Sequence, residues 1–249
     1  MDIDGYNRAV ALRDAGREED ALREFESLAK LELDAMAKGS LLANQATSLW
    51  RLGRLKEARQ RLSEAIMYWP NVYTEHQDAC LTRDEGNRKE ALQKLTLFLK
   101  NHGDLRQSSD ADNRHIYFDA LATQGFCYYE LGRYAEAVDP LEEALSFFKG
   151  DDDRRKKLSF FAGCCYLELG NLQTAEDRLM EGLPADRGDP WWVHGQYQLG
   201  CLYFRKGAYL QAIKAFEICE ARADELDSAY KSNIAAWLVK LRGASERVQ

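Results

Sequence analysis

The stretch LATQGFCYYELGRYAEAVDPLEEA, residues 121–144, contains the pattern that decides the fold. A small residue, Gly125, stands seven positions before Gly132, while Ala137 follows that glycine by five positions and Leu141 by nine. Glycine commonly ends a helix, because the left-handed backbone conformation costs it little. Ala137 and Leu141 are four residues apart and therefore share one face of a second helix. The stretch predicts two helices joined by a short turn.

The same four-position pattern occurs six times along the chain, at intervals of about 34 residues with short insertions. The central glycines are Gly16, Gly53, Gly86, Gly132, Gly170 and Gly207. The small residues before them are Ala9, Ala46, Ala79, Gly125, Gly163 and Gly200. The alanines after them are Ala21, Ala58, Ala91, Ala137, Ala175 and Ala212. The large apolar residues are Phe25, Leu62, Leu95, Leu141, Leu179 and Phe216. A repeat of fixed period indicates a solenoid, in which each unit buries its apolar face against its neighbours.

This pattern resembles the tetratricopeptide repeat (TPR) family over roughly residues 3–222. The residues four positions before the last three glycines match the family's usual aromatic, whereas those of the first three repeats depart from it. The matching residues are Tyr128, Tyr166 and Tyr203, and the departures are Leu12, Leu49 and Thr82. Pro70 and the pair Asp189-Pro190 fit the turns that close a repeat. The resemblance implies an all-α fold, a right-handed α-solenoid of antiparallel helix pairs known as the TPR superhelix.

We predict a single solenoid domain over residues 1–249, with repeats at about 3–36, 40–71, 73–101, 116–149, 157–184 and 191–222. A capping helix follows at about 226–242, because an apolar stripe recurs there at helical spacing. The stripe consists of Tyr230, Ile234, Trp237, Leu238 and Leu241. The main interpretation is a plain cap, and the alternative is that the stripe docks a partner or a second copy. The polar segments 101–114, 150–157 and 184–190 are interpreted as solvated linkers.

Composition excludes several classes of function. Lysine and arginine number 34 against 41 aspartate and glutamate residues, a net charge of −7, which disfavours general binding to nucleic acid or anionic membrane. No apolar run is long enough to span a bilayer and no signal peptide is recognisable, so we expect a cytoplasmic protein without membrane insertion. Six cysteines without a C-x-x-C pair predict reduced thiols and neither metal nor cofactor. A metal or redox site formed by Cys164, Cys201 and His194 is a disfavoured alternative.

The chain carries no recognisable catalytic motif. It contains no H-E-x-x-H, no G-x-S-x-G, no phosphate-binding loop and no dinucleotide-binding glycine motif, and the repeat accounts for the glycines that matter. The sequence therefore predicts a protein that is not an enzyme.

The resemblance implies a concave groove, lined by the first helix of each repeat, that binds a peptide or helix of another protein. Polar and arginine side chains line the first part of this predicted site, and aromatic rings line the second. The first part comprises Asn7, Arg13, Asn44, Trp50, Arg51, Gln77 and Arg83. The second comprises Phe126, Tyr129, Phe160, Phe161, Tyr197 and Phe204. Amides can bind a peptide backbone, arginines suit carboxylates, and aromatic side chains dominate interface energies.

One TPR subfamily binds the acidic C-terminal tails of chaperones through a clamp of lysine, asparagine and arginine. Only Asn44 matches that clamp here. The other clamp positions hold Tyr6, Val10, Tyr73 and Gln77, so chaperone-tail binding is not predicted.

The preferred hypothesis is a non-enzymatic adaptor or scaffold that binds a segment of a partner protein. The alternative is a structural subunit of a larger assembly or a homo-oligomer, associating through its ends or its C-terminal helix. A third hypothesis is regulation of an enzyme or RNA-associated machine through local charge.

Overall fold

The computed structural model describes residues 2–150, 153–184, 186, 188–225 and 228–245. Within these residues the chain forms 13 α-helices and two short 3-10 helices, and no strand. The α-helices are α1 Ile3–Asp14, α2 Glu18–Leu28, α3 Ala35–Arg51, α4 Leu55–Tyr68, α5 Val72–Asp84, α6 Arg88–Asn101, α7 Ala111–Glu130, α8 Tyr134–Phe147, α9 Asp153–Glu168, α10 Leu172–Gly182, α11 Pro190–Arg205, α12 Tyr209–Ala221 and α13 Ser228–Ser245. The 3-10 helices are Gly103–Gln107 and Ala223–Glu225. The predicted all-α repeat architecture is confirmed.

The chain divides into two compact units, Met1–Cys127 and Tyr128–Gln249. In the first unit, α1 packs on α2, α3 on α4 and α5 on α6, and consecutive pairs are joined by contacts of α2 with α3 and of α4 with α5. In the second unit, α9 packs on α10 and α11 on α12, while α8 contacts α9 and α12 contacts α13. Each pair is the helical hairpin that the sequence pattern predicts.

The turn of each hairpin is made by the glycine of the repeat. Gly132 has φ +72°, and the next amide, of Arg133, donates to the carbonyl of Tyr128 at 2.9 Å. This hydrogen bond satisfies a carbonyl that the end of the helix would otherwise leave unpaired. The other five repeat glycines also have positive φ, which L-amino acids with a side chain rarely adopt. The periodic glycines are therefore explained by backbone geometry.

The other repeated positions form the core between paired helices. All six alanines of the pattern and five of the six large apolar residues are fully buried, while the sixth, Leu62, is 1% exposed. A Cβ atom on Gly163 would lie 2.9 Å from the amide nitrogen of Leu179, and one on Gly200 would lie 2.7 Å from the ring of Phe216. The small residue thus marks the place where the first helix of a pair approaches the large residue of the second.

The segment 101–114 is more ordered than the linker expected from its polarity. Gly103–Gln107 forms a 3-10 turn that buries Leu105, and α7 begins at Ala111. The side chain of Asp110 accepts hydrogen bonds from the amides of Asp112 at 2.8 Å and Asn113 at 3.3 Å. Aspartate in this position satisfies amides of the first helical turn that have no partner within the helix. The polar residues of this segment therefore form the start of α7 in addition to a surface turn.

The last helix, α13, buries the apolar stripe predicted for it. Ile234, Leu238 and Leu241 are at most 2% exposed and share a core cluster with Phe216 of α12. The ring of Trp237 stacks on Phe216 with centroids 6.0 Å apart. The stripe is therefore occupied by contacts within the second unit, as a capping helix requires.

Two further observations concern single helices. Pro140 lies inside α8, and the helix continues on both sides of it. The described helices include none that combines the length and the apolar character needed to cross a membrane.

Candidate functional site

The polar side chains predicted to bind a partner in the first unit are largely engaged with one another. Asn44 of α3 is 7% exposed, and its amide nitrogen donates to the hydroxyl of Tyr6 and the carbonyl of Ser40, both at 2.8 Å. Its carbonyl oxygen accepts from the guanidinium of Arg13. Burial raises the pKa of Tyr6, so this hydroxyl stays protonated at neutral pH. The donor and acceptor of Asn44 therefore connect α1 to α3.

A second buried amide repeats this arrangement one repeat later. Gln77 of α5 is 5% exposed, and its nitrogen donates to the hydroxyl of Thr47 and, at 3.5 Å, to the carbonyl of Ala43 on α3. Its carbonyl oxygen is buried and accepts no hydrogen bond from the residues that the structure describes. The amides at this position thus join the first helices of neighbouring repeats.

The remaining predicted residues of the first unit also have partners, except Asn7. Arg51 donates at 3.0 Å to Glu18 and at 3.2 Å to the carbonyl of Arg13, and Trp50 donates at 2.9 Å to Asp84. The Arg83 guanidinium lies 5.4 Å from the centre of the Phe126 ring, which is 7% exposed. Asn7 is exposed, and among the described residues its side chain has no hydrogen-bond partner.

In the second unit, aromatic side chains form a continuous series of ring contacts, which we call the ring series. Adjacent ring centroids lie 4.7–6.2 Å apart, the range of favourable aromatic pairs. Its members are Tyr129, Phe161, Phe160, Trp191, His194, Tyr230 and Tyr197. Four of the six predicted aromatic residues belong to this series, on α7, α9 and α11. Phe204 contacts Trp237 of α13 at 4.5 Å, and Trp237 is linked through Phe216 to Tyr197 of the series.

Exposure varies strongly along the ring series. Trp191 is 47% exposed and Phe160 is 7% exposed, while Tyr129, Phe161 and Tyr197 are half-buried. Burial raises the pKa of Tyr129, and it raises that of Tyr197 to about 12, so both rings stay uncharged at neutral pH. The series presents one strongly exposed ring on a half-buried aromatic base.

A cavity of about 250 Å³ opens beside Trp191. It lies between the first turn of α9, the end of α10 and the start of α11. Its lining residues are Asp153, Lys156, Lys157, Phe160, Gly182, Pro184, Asp189 and Trp191. Asp189 caps α11 by accepting from the amide of Trp191 at 2.8 Å, and Pro190 occupies the first helical position. The cap therefore fixes the backbone position of Trp191 at the start of α11.

Sequence reasoning missed Trp191, although it identified the neighbouring Phe160 and Phe161. Trp191 belongs to the first turn of its helix and lies outside the repeated positions. The available signal was the Asp-Pro-Trp sequence, which places a large ring directly after a helix cap.

A polar cluster in the first unit was also missed. His76 and Cys80 of α5 and Asp119 of α7 bring a ring nitrogen, a sulfur and a carboxylate oxygen within 4.8 Å of one another. His76 Nε2 lies 3.3 Å from both Cys80 Sγ and Asp119 Oδ2. The helix α6 and the 3-10 turn separate Asp119 from the other two in sequence, so no short motif connects them.

The cysteines of the second unit have a different environment. Cys164 and Cys165 are buried, Cys201 is half-buried, and burial raises the pKa of all three thiols, to about 12 for Cys165 and about 11 for Cys201. Metal binding needs the thiolate, which a raised pKa disfavours. Among the described residues, Cys164, Cys201 and His194 do not form a group with converging ligand atoms.

Comparison with known proteins agrees with this architecture. Tetratricopeptide repeat family models match residues 39–64, 119–154 and 193–221. The solved structure of PilF from Pseudomonas aeruginosa is similar over 94% of this chain and 96% of that one, with a TM-score of 0.70 and 10% identity. No curated protein sequence is significantly similar to the chain.

Two further solved structures share the fold. MamA from Desulfovibrio magneticus aligns over 77% of this chain and 98% of that one, with a TM-score of 0.58 and 18% identity. YrrB, described as a TPR protein with an unusual peptide-binding site, aligns over 79% and 91%, with a TM-score of 0.54 and 17% identity. These identities show similarity of fold. The repeated positions, the helical hairpins and the three matched repeats together make this chain a tetratricopeptide repeat protein, a class of repeat that typically serves as a protein-interaction scaffold.

Proposed function

We propose that this protein is a non-enzymatic adaptor that binds a segment of another protein on the ring series of its second unit. The observation that carries the proposal is the cavity beside Trp191, where an indole that is 47% exposed stands at the rim of a cavity of about 250 Å³. Tryptophan is among the residues that most often dominate binding energy at interfaces, and ligand pockets are lined mainly by apolar and aromatic side chains. The bound segment would place an apolar side chain in this cavity.

The chemistry of the cavity favours a peptide over a small charged substrate. Phe160, Pro184 and Trp191 supply apolar walls, whereas Lys156, Lys157 and Asp189 provide charges of both signs at the edge. Mixed charges around an apolar centre resemble the core and rim of a protein interface. Peptide binding by YrrB shows that a protein of this fold can have this function.

Two features lead us to propose the second unit as the site of binding. Asn44 and Gln77 of the first unit already use their amide groups to join neighbouring helices, so binding a peptide backbone would require breaking those hydrogen bonds. The apolar stripe of α13 is buried in its own unit, so a partner on that helix would have to use its other face. Self-association stays a prediction.

Selection of peptides from a random display library on the wild-type protein would test the proposal. Trp191→Ala should weaken the selected peptides at least tenfold, because loss of an aromatic anchor costs about 2 kcal/mol or more. Leu210→Glu is the control, since Leu210 lies on α12 of the same unit and is 70% exposed. Calorimetric affinities equal for wild type and Trp191→Ala would contradict the proposed site.

A further inference from the structure

We propose that His76, Cys80 and Asp119 form a zinc site that joins α5 to α7 within the first unit. This site lies outside the ring series and the cavity, so it is independent of the proposed peptide binding. The argument rests on the positions of three ligand atoms, the burial of their side chains and the chemistry of the donor set.

The spacing of the atoms around His76 Nε2 suits metal ligation. The 3.3 Å separation of His76 Nε2 and Asp119 Oδ2 exceeds the ~2.7–2.9 Å of strong charge-assisted hydrogen bonds. Zinc bonds of roughly 2.0–2.3 Å in a tetrahedron place neighbouring ligand atoms roughly 3.3–3.6 Å apart. Both distances from His76 Nε2, to Asp119 Oδ2 and to Cys80 Sγ, are 3.3 Å. All three ligand atoms lie within 4.8 Å of one another, so small side-chain rotations would bring them around one cation.

The helix supplies two of the ligands in a fixed relation. His76 and Cys80 are four residues apart on α5, so their side chains project from the same face one turn apart. Asp119 approaches from α7, and the Thr123 hydroxyl, one turn further along α7, lies 3.7 Å from Cys80 Sγ. The three side chains would supply three ligands of a tetrahedral zinc ion, and the fourth position would be open to water.

The cluster is largely buried, and its donor atoms favour zinc over other divalent cations. His76 is 8% exposed and Cys80 is 7% exposed, and the ring of Phe98 packs against the imidazole with centroids 5.9 Å apart. A mixed nitrogen, sulfur and oxygen donor set suits zinc and disfavours magnesium and calcium, which prefer oxygen ligands.

The sequence shows that this combination is special to the third repeat. The positions ten and six residues before the repeat glycine hold His76 and Cys80 here. The corresponding pairs are Tyr6 and Val10, Ala43 and Thr47, Ala122 and Phe126, Phe160 and Cys164, and Tyr197 and Cys201. Only the third repeat places a histidine and a cysteine together at these positions, so the repeat pattern does not account for them.

Titration of the untagged full-length protein with Co²⁺ tests the site, because a cobalt–thiolate bond produces a charge-transfer absorption band. We expect one equivalent to bind with this band, and Zn²⁺ to displace it. Cys80→Ser should abolish the band, and Asp119→Asn should weaken Zn²⁺ binding by more than the roughly 10–100-fold that loss of an outer hydrogen-bond partner costs. Cys127→Ser and His102→Gln, which replace the same residue types elsewhere in the first unit, should leave the band unchanged.

Thermal unfolding keeps the test decisive if one variant folds poorly. Zn²⁺ should raise the Tm of the wild type as its concentration increases, because it binds the folded state. It should raise the Tm of Asp119→Asn much less. The site is refuted if the folded wild type shows no thiolate band, or if Cys80→Ser keeps the band of the wild type.

Discussion

At the scale of single residues, Asn44 illustrates how a side chain with the composition of a binding site can have a structural task. It is buried, and its amide joins Arg13 and Tyr6 of one repeat to α3 of the next. A buried donor or acceptor left without its partner loses its hydrogen bonds to water, and no hydrogen bond within the protein compensates for that loss. The principal effect of removing this amide should therefore be on folding.

Asn44→Ala should lower the free energy of unfolding by about 1–3 kcal/mol, because it leaves Arg13 and Tyr6 without a shared partner. Asn7→Ala provides the matched control, since Asn7 is an exposed amide on α1 and should change stability by no more than about 0.5 kcal/mol. Urea denaturation followed by circular dichroism measures both. Equal stability of the two variants would show that the Asn44 hydrogen bonds contribute little.

At the scale of helices, the first prediction concerns the start of α7. Asp110→Ala should destabilise the protein by about 1 kcal/mol, because the amides of Asp112 and Asn113 lose their acceptor. Asp104→Ala removes the same charge from an exposed position in the preceding 3-10 turn and should be nearly neutral. Comparison of the two denaturation midpoints separates loss of the cap from loss of charge. A midpoint for Asp110→Ala that equals that of Asp104→Ala would refute the capping role.

The close approach of α9 to α10 gives a second prediction at this scale. Gly163→Ala adds a methyl group 2.9 Å from the backbone nitrogen of Leu179, which cannot move without shifting α10. We expect destabilisation of about 1–3 kcal/mol from overpacking, even though alanine favours a helix. Gly103→Ala is the control, because a Cβ atom there meets nothing within 4 Å. Thermal melts in which Gly163→Ala is as stable as wild type would contradict this packing.

At the scale of the whole molecule, the reactivity of the cysteines measures how well the cores of both units are buried. Five of the six are buried and Cys201 is half-buried; Cys80 and Cys127 belong to the first unit and the others to the second. Alkylation by iodoacetamide at neutral pH should be slow at Cys164, Cys165 and Cys219, because burial blocks access and raises their pKa. Mass spectrometry should show complete labelling after unfolding in guanidinium. Rapid labelling of Cys164 in the native protein would contradict its burial in the core.

The repeat, its helical hairpins and the turn glycines can be predicted from the amino-acid sequence. These features depend on residues close together along the chain, such as Gly132 with Ala137 and Leu141, so local backbone preference and helical spacing are sufficient to predict them. Which side chains meet across repeats follows instead from the three-dimensional packing. It brings Asn44 to Arg13, Trp191 to Phe160, and Asp119 to His76 and Cys80. Those encounters depend on how one helix pair packs on the next, a relation that the repeated positions permit but do not specify.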